Sequence, residues 1–207
     1  MPVALTIAGS DPSGGAGIQA DLRTFAALGV AGLSVITALT VQTSQGVLSV
    51  HPVAPDILAA QLNAILEDTR PDAVKIGMLG GAAQVRVVAD ALRRFHPPNV
   101  VLDPVLASTG GVPLLDEEGR RALLTELLPL CDLVTPNLGE AGQLAGRHVH
   151  DDTTMAEAGE QLLALGAKTV LVKGGHLAGE PYDLLLRQGQ TPSRFLWDRI
   201  HTHHTHG

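Results

Sequence analysis

The chain has 207 residues, 45% of them hydrophobic and 2% aromatic, so a sizeable core must be built from Leu, Val, Ile and Ala. Its formal net charge is −7 and its pI is near 5.6; it carries no Lys/Arg run longer than a pair such as Arg93-Arg94, which argues against a nucleic-acid binder with a basic face. A single cysteine, no charged leader ahead of Val3 and no apolar stretch of membrane-span length exclude an intrachain disulfide, a signal peptide and a transmembrane helix, and they suggest a cytoplasmic protein.

Val3 to Ala8 is an apolar run of strand length, followed by a Gly/Ser/Pro/Asp loop from Gly9 to Gly14. Apolar spacing at Ile18, Leu22, Phe25 and Ala26 predicts a helix ending near Gly29. Leu33 to Val41 is the next strand, with Val47 to Val50 beside it. Pro55 suits the first turn of a helix that lines up Leu58, Leu62, Ile65 and Leu66. Ala73 to Ile76 and Asn99 to Leu102 are strands, separated by a helix striped with Val85, Val88, Leu92 and Phe95. Leu123, Leu124, Leu127 and Leu128 stripe another helix. Cys131 is expected to be a small buried hydrophobe opening the strand Leu133 to Thr135. A short helix follows Asn137, and Thr153 or Thr154 caps one that ends at Gly166. Thr169 to Val172 is strand, and Tyr182 to Leu186 with Phe195 to Trp197 form an edge hairpin.

This alternation predicts one α/β domain over residues 1–207, with a doubly wound, mostly parallel sheet and helices on both faces. Ligands then bind beyond the carboxyl ends of the strands. After the first strand, Gly15 to Ala20 fits the dinucleotide pattern G-x-G-x-x-A. No Asp or Glu lies between Asp21 and Asp56 to hold a ribose, which counts against an NAD enzyme and leaves a glycine turn or an anion-facing helix start. Gln42 can donate and accept at once, as an aminated heterocycle requires, or be an ordinary loop residue. Met78, after Lys75-Ile76-Gly77, is either a soft apolar wall or core. Asp103 either orients a metal or phosphates or caps the turn at Pro104. Asn137 and Glu140 have the spacing of a capping box, and the same groups can face a hydrated Mg²⁺. Lys173-Gly174-Gly175 is favoured as a phosphate cradle, a point charge beside unhindered amides. His201, His203, His204 and His206 lack a frame for a metal site.

Taken in order, these stretches resemble the hydroxymethylpyrimidine/phosphomethylpyrimidine kinases of thiamine biosynthesis, in the ribokinase-like superfamily. The segments that carry the resemblance are Leu5 to Asp21, Ser34 to Gln42, Lys75 to Leu79, Thr135-Pro136-Asn137 with Glu140, and Lys173 to His176. The resemblance implies ATP- and Mg²⁺-dependent phosphorylation of a small pyrimidine and then of its monophosphate, by a homodimer. It implies that Gln42 bonds the aminopyrimidine, Met78 and Val105 wall its ring, and Asp21 binds the hydroxymethyl side. Asp103, Asn137, Glu140, Lys173 and Gly174 would serve the nucleotide, Asp103 and Glu140 the Mg²⁺, directly or through water, and Lys173 the charge of the transferring phosphoryl group. Members of that family continue past Thr205-His206-Gly207 with a Thr-Gly-Cys that completes an anion hole and opens further helices. Gly207 is therefore expected to be the first glycine of an incomplete hole, in a domain expected to lack the C-terminal helices. A catalytically idle pyrimidine-binding protein and a pyridoxal kinase are the alternatives.

Overall fold

The computed structural model describes residues 1–198, apart from Ser44, Thr109, His176, Ala178 and Gly179. Gly207 and the C-terminal histidines lie outside the described residues. Nine strands form one sheet among the described residues: β1 (Val3–Ser10), β2 (Ala31–Thr43), β3 (Gly46–Pro52), β4 (Ala73–Ile76), β5 (Val100–Leu102), β6 (Leu133–Val134), β7 (Thr169–Lys173), β8 (Tyr182–Arg187) and β9 (Ser193–Leu196). Their order is β3-β2-β1-β4-β5-β6-β7-β8-β9. The six strands from β2 to β7 in this order run parallel, and β3, β8 and β9 run antiparallel to their neighbours.

The helices are α1 (Gly17–Ala27), α2 (Pro55–Asp68), α3 (Ala82–Phe95), α4 (Glu117–Ala122), α5 (Leu138–Ala145) and α6 (Asp152–Ala164). One sheet face carries Leu5, Ile7, Val74, Ile76, Leu102, Val134, Val170, Val172, Leu184 and Leu186. These pack against α2 to α6 in a single cluster that includes the fully buried Leu58, Leu62, Met155 and Leu162. Each such leucine stabilises the fold by about 1.5–3 kcal/mol relative to exposure.

The opposite face behaves differently. Thr6, Lys75, Val101 and Leu133 stand in register across it, followed by Leu171 and its partner Leu185. Helix α1 packs there, over β1 and β2. Beyond β4 the side chains Val101, Leu133, Leu171 and Leu185 are half-buried rather than enclosed.

Local boundaries depart from the expected ones for identifiable reasons. Asp151, not either threonine, caps α6: its carboxylate accepts the Thr154 amide at 2.8 Å, and Thr154 Oγ1 accepts the Asp151 amide at 3.1 Å. The leucine stripe from Leu123 continues α4 as one wide turn and then a tight turn through Pro129, which cannot donate to a regular helix. Cys131 is fully buried but sits at the end of that turn, ahead of β6, with Sγ donating to Leu127 O at 3.3 Å. Asn99 precedes β5 in a left-handed conformation (φ 53°), and its side chain donates to Asp72 O at 2.8 Å. β2 runs past Val41 to Thr43, because its last residues pair with β3 instead of β1.

Candidate active site

The glycine-rich loop after β1 closes on itself. The Asp11 carboxylate accepts the amides of Ser13 and Ala16, both at 2.8 Å, and the Ser13 hydroxyl at 2.7 Å. Burial pushes the Asp11 carboxyl up, but these hydrogen bonds outweigh it and hold the group below its ordinary range. Gln19 completes the loop by accepting the Asp11 amide at 2.9 Å and donating to Ser10 Oγ at 2.8 Å. Gly17 has φ +57°, and a Cβ there would collide with Gly9 O. The glycines thus let the start of α1 meet the end of β1, and the amides of Ser13 and Ala16 are already taken by Asp11. This is the turn reading of the motif, not a dinucleotide cradle.

A second apolar cluster lies at the carboxyl end of the sheet. Ala38, Met78 and Leu114 are buried in it, and Val47, Val50 and Val105 pack against them. Met78 and Val105 are therefore brought together, with Leu114, which the sequence alone did not single out, in the same cluster. Met78 also explains Gly9, where a Cβ would stand 2.9 Å from Met78 Cε. Gln42 is in the β2–β3 hairpin, paired with Val47, so it stands at the edge of this cluster. Its Oε1 accepts from Thr40 Oγ1 at 3.3 Å, and the same hydroxyl reaches Ser10 O at 3.0 Å.

Asp21 faces the sheet from α1. Its Oδ2 accepts the Thr6 hydroxyl at 2.6 Å and the Lys75 ammonium at 3.0 Å. Lys75 lies one residue before the end of β4, and its Nζ would be 2.9 Å from a Cβ at Gly77. Lys75 and Thr6 were missed by sequence reasoning, although a lysine inside an otherwise apolar strand run was a visible signal.

The ends of β5, β6 and β7 carry the charged part. Lys173 Nζ donates to Asp103 Oδ1 at 2.9 Å, and Thr135 Oγ1 lies 3.4 Å from the same oxygen. Asn137 and Glu140 form the capping box of α5: Glu140 Oε2 accepts the Asn137 amide at 2.8 Å, and Asn137 Oδ1 accepts the Glu140 amide at 2.9 Å. Glu140 is a buried carboxylate. Burial pushes its carboxyl above the ordinary range; the Asn137 amide and the Lys173 charge pull it down, and Asp103 pushes it up. The capping box is thus formed, and it holds Glu140 within the field of Lys173 and Asp103.

Gly174 is placed at this end, but its amide donates to Asp183 Oδ1 at 3.0 Å, and a Cβ there would collide with Tyr182 O. Its lack of a side chain is required by the close approach of β8.

Comparison with known proteins agrees with this architecture. A family model described as phosphomethylpyrimidine kinase matches residues 11–207. The hydroxymethylpyrimidine/phosphomethylpyrimidine kinase of Escherichia coli K12 is 50% identical over 207 residues, covering 99% of this chain and 77% of that protein. The crystal structure of phosphomethylpyrimidine kinase from Clostridium difficile 630 superposes with a TM-score of 0.87 at 43% identity, over 94% of this chain and 84% of that one. An ADP complex of Bacillus subtilis pyridoxal kinase superposes with a TM-score of 0.89 at 37% identity, over 98% of this chain and 77% of that one. Fold and relatives together define a ribokinase-like small-molecule kinase. Within that class, the chain belongs to the phosphomethylpyrimidine kinase family.

Proposed function

We propose that this enzyme transfers a phosphoryl group from ATP to hydroxymethylpyrimidine and then to its monophosphate, as a cytoplasmic homodimer serving thiamine biosynthesis. The observation that carries this reading is the meeting of Lys173, Asp103 and Glu140 beyond three adjacent parallel strands, beside an apolar-walled cluster edged by Gln42. Among the described residues, no helix is long and apolar enough to cross a membrane.

Phosphoryl transfer is chiefly a matter of positioning and charge stabilisation. Lys173 supplies a point charge for the transferring group, and Asp103 fixes where that charge stands. Gln42 donates to and accepts from the aminopyrimidine edge, while Met78, Val105 and Leu114 exclude water from its ring. Asp21, tied to Thr6 and Lys75, keeps a carboxylate near the hydroxymethyl side. Asp103 and Glu140 offer hard oxygen donors of the kind a hydrated Mg²⁺ accepts, and they would hold that ion. When bound, Mg²⁺ neutralises charge on the nucleotide phosphates.

The test is ADP release with hydroxymethylpyrimidine, its monophosphate and pyridoxal in parallel. The expected result is a higher kcat/KM for the two pyrimidines; turnover of pyridoxal alone would overturn the assignment. Pyridoxal is the comparison substrate because the Bacillus subtilis pyridoxal kinase superposes so closely. Light scattering of the eluting protein tests the dimer, which a monomeric mass would refute.

A further inference from the structure

The turn after β7 is held from β8. Lys173 and Asp183 are register partners in the antiparallel β7–β8 pair. Asp183 Oδ1 accepts the Gly174 N–H at 3.0 Å, and the Lys173 N–H donates to Pro136 O at 2.8 Å. Both peptide groups flanking the Lys173 Cα are therefore pinned, one from the segment just after β6 and one from β8. With both flanking planes fixed, so is the direction in which the Lys173 side chain leaves the backbone. β8 is itself anchored at this end: the Tyr182 hydroxyl donates to Asp152, and Arg194 pairs with the same carboxylate at 2.6 Å while lying 4.9 Å over the Tyr182 ring.

We propose that Asp183 is a positioning residue for phosphoryl transfer, acting through the Gly174 amide to fix where Lys173 delivers its ammonium. This rests on Lys173 serving as the cation at the transferring group. It also means that the Gly174 amide is committed to Asp183 and is not a phosphate donor. Side-chain charge is secondary: what matters is an oxygen of the right reach beside that amide.

The experiment compares Asp183→Asn with Asp183→Ala in the full-length protein, by steady-state kinetics and by hydrogen exchange of the Gly174 amide. Asn keeps an oxygen acceptor and should retain kcat within about threefold of wild type, whereas Ala should lower kcat by roughly tenfold to a hundredfold, because misplacing a catalytic group by about an ångström has that effect. KM for the pyrimidine should stay within about twofold, since no ground-state contact to it is removed. The Gly174 amide should exchange faster in the Ala variant and not in the Asn variant. Wild-type kcat in the Ala variant, equal impairment of both variants, or unchanged Gly174 exchange would each overturn the proposal. If the Ala variant fails to fold, Asp183→Glu, which displaces the oxygen by one methylene, takes its place with the same expected loss. An inactive wild-type protein would count against the kinase assignment alone, because the exchange measurement decides the hydrogen bond independently.

Discussion

Lys173 on β7 reaches over the end of β6 to meet Asp103, the residue just after β5, with Nζ and Oδ1 2.9 Å apart. Seventy positions separate the two residues, so the pair exists only because the sheet order brings β5 and β7 to either side of β6. Both groups are partly solvated, 39% and 28% exposed, so the pair contributes little to stability. Its value lies in holding one cation in one place.

Lys173→Met should therefore lower kcat by about a hundredfold to a thousandfold, the usual consequence of removing one electrostatic stabiliser of a transition state. The melting temperature should move little. Steady-state kinetics and a thermal melt on the same sample check both halves. A variant with a large loss of stability and intact kcat would reverse the assignment.

Gln42→Leu should weaken binding of the pyrimidine by about 1–3 kcal/mol, the penalty for leaving polar groups of the ring edge unpaired. Thr40→Val should do so more mildly, because Thr40 Oγ1 ties the Gln42 side chain to Ser10 O. Calorimetric titration of the pyrimidine into each variant measures this. Unchanged affinity in the Leu variant would remove Gln42 from the site.

What was legible in the sequence was local. Apolar runs of strand length and apolar spacing at helical period marked the strands and helices, and the Asn137–Glu140 spacing announced a capping box that the structure contains. Strand ends pointed to Asp103 and Lys173 because parallel sheets bind at that edge. What was not legible depends on register or on competition between equivalent partners. Lys75 reaches Asp21 across 54 positions, and nothing near either residue announces the other. Asp11 turns the loop amides inward, so a glycine pattern that suggests a dinucleotide site builds a turn instead. Thr153 and Thr154 both looked like caps, yet Asp151 wins because a carboxylate one turn earlier accepts the Thr154 amide while Thr154 answers it.

Cys131 should be inert while the protein is folded. Burial, with a smaller push from Asp132 against a pull from Lys168, raises its thiol from 9.0 to about 12. A thiol-reactive chromophore at pH 8 should label it only after denaturant is added. The sign for stability follows from the raised value: the folded state holds the proton more tightly than the unfolded state. That contribution is complete below pH 9.0 and is lost as pH rises toward about 12. Cys131→Ala should flatten the alkaline decline in stability, and an identical decline in both proteins would refute the linkage.

Glu140 shifts in the same direction, but its window lies at acid pH. Its carboxyl is raised by burial, so the folded state prefers the protonated form more than the unfolded state does. This group therefore favours folding most below 4.5, and the contribution is lost as pH rises through the folded value, where ionising the buried carboxylate burdens the fold. Glu140→Gln keeps an oxygen to accept the Asn137 amide, so the capping box survives while the buried charge is removed. The Gln variant should melt higher than wild type at pH 7.5, with the gain shrinking at pH 4.5, and its kcat should fall by about tenfold or more because a carboxylate beside Lys173 and Asp103 is gone. Thermal melts at the two pH values and a saturating-substrate assay measure the trade. A variant that melts lower with full activity would show that Glu140 serves only as a cap.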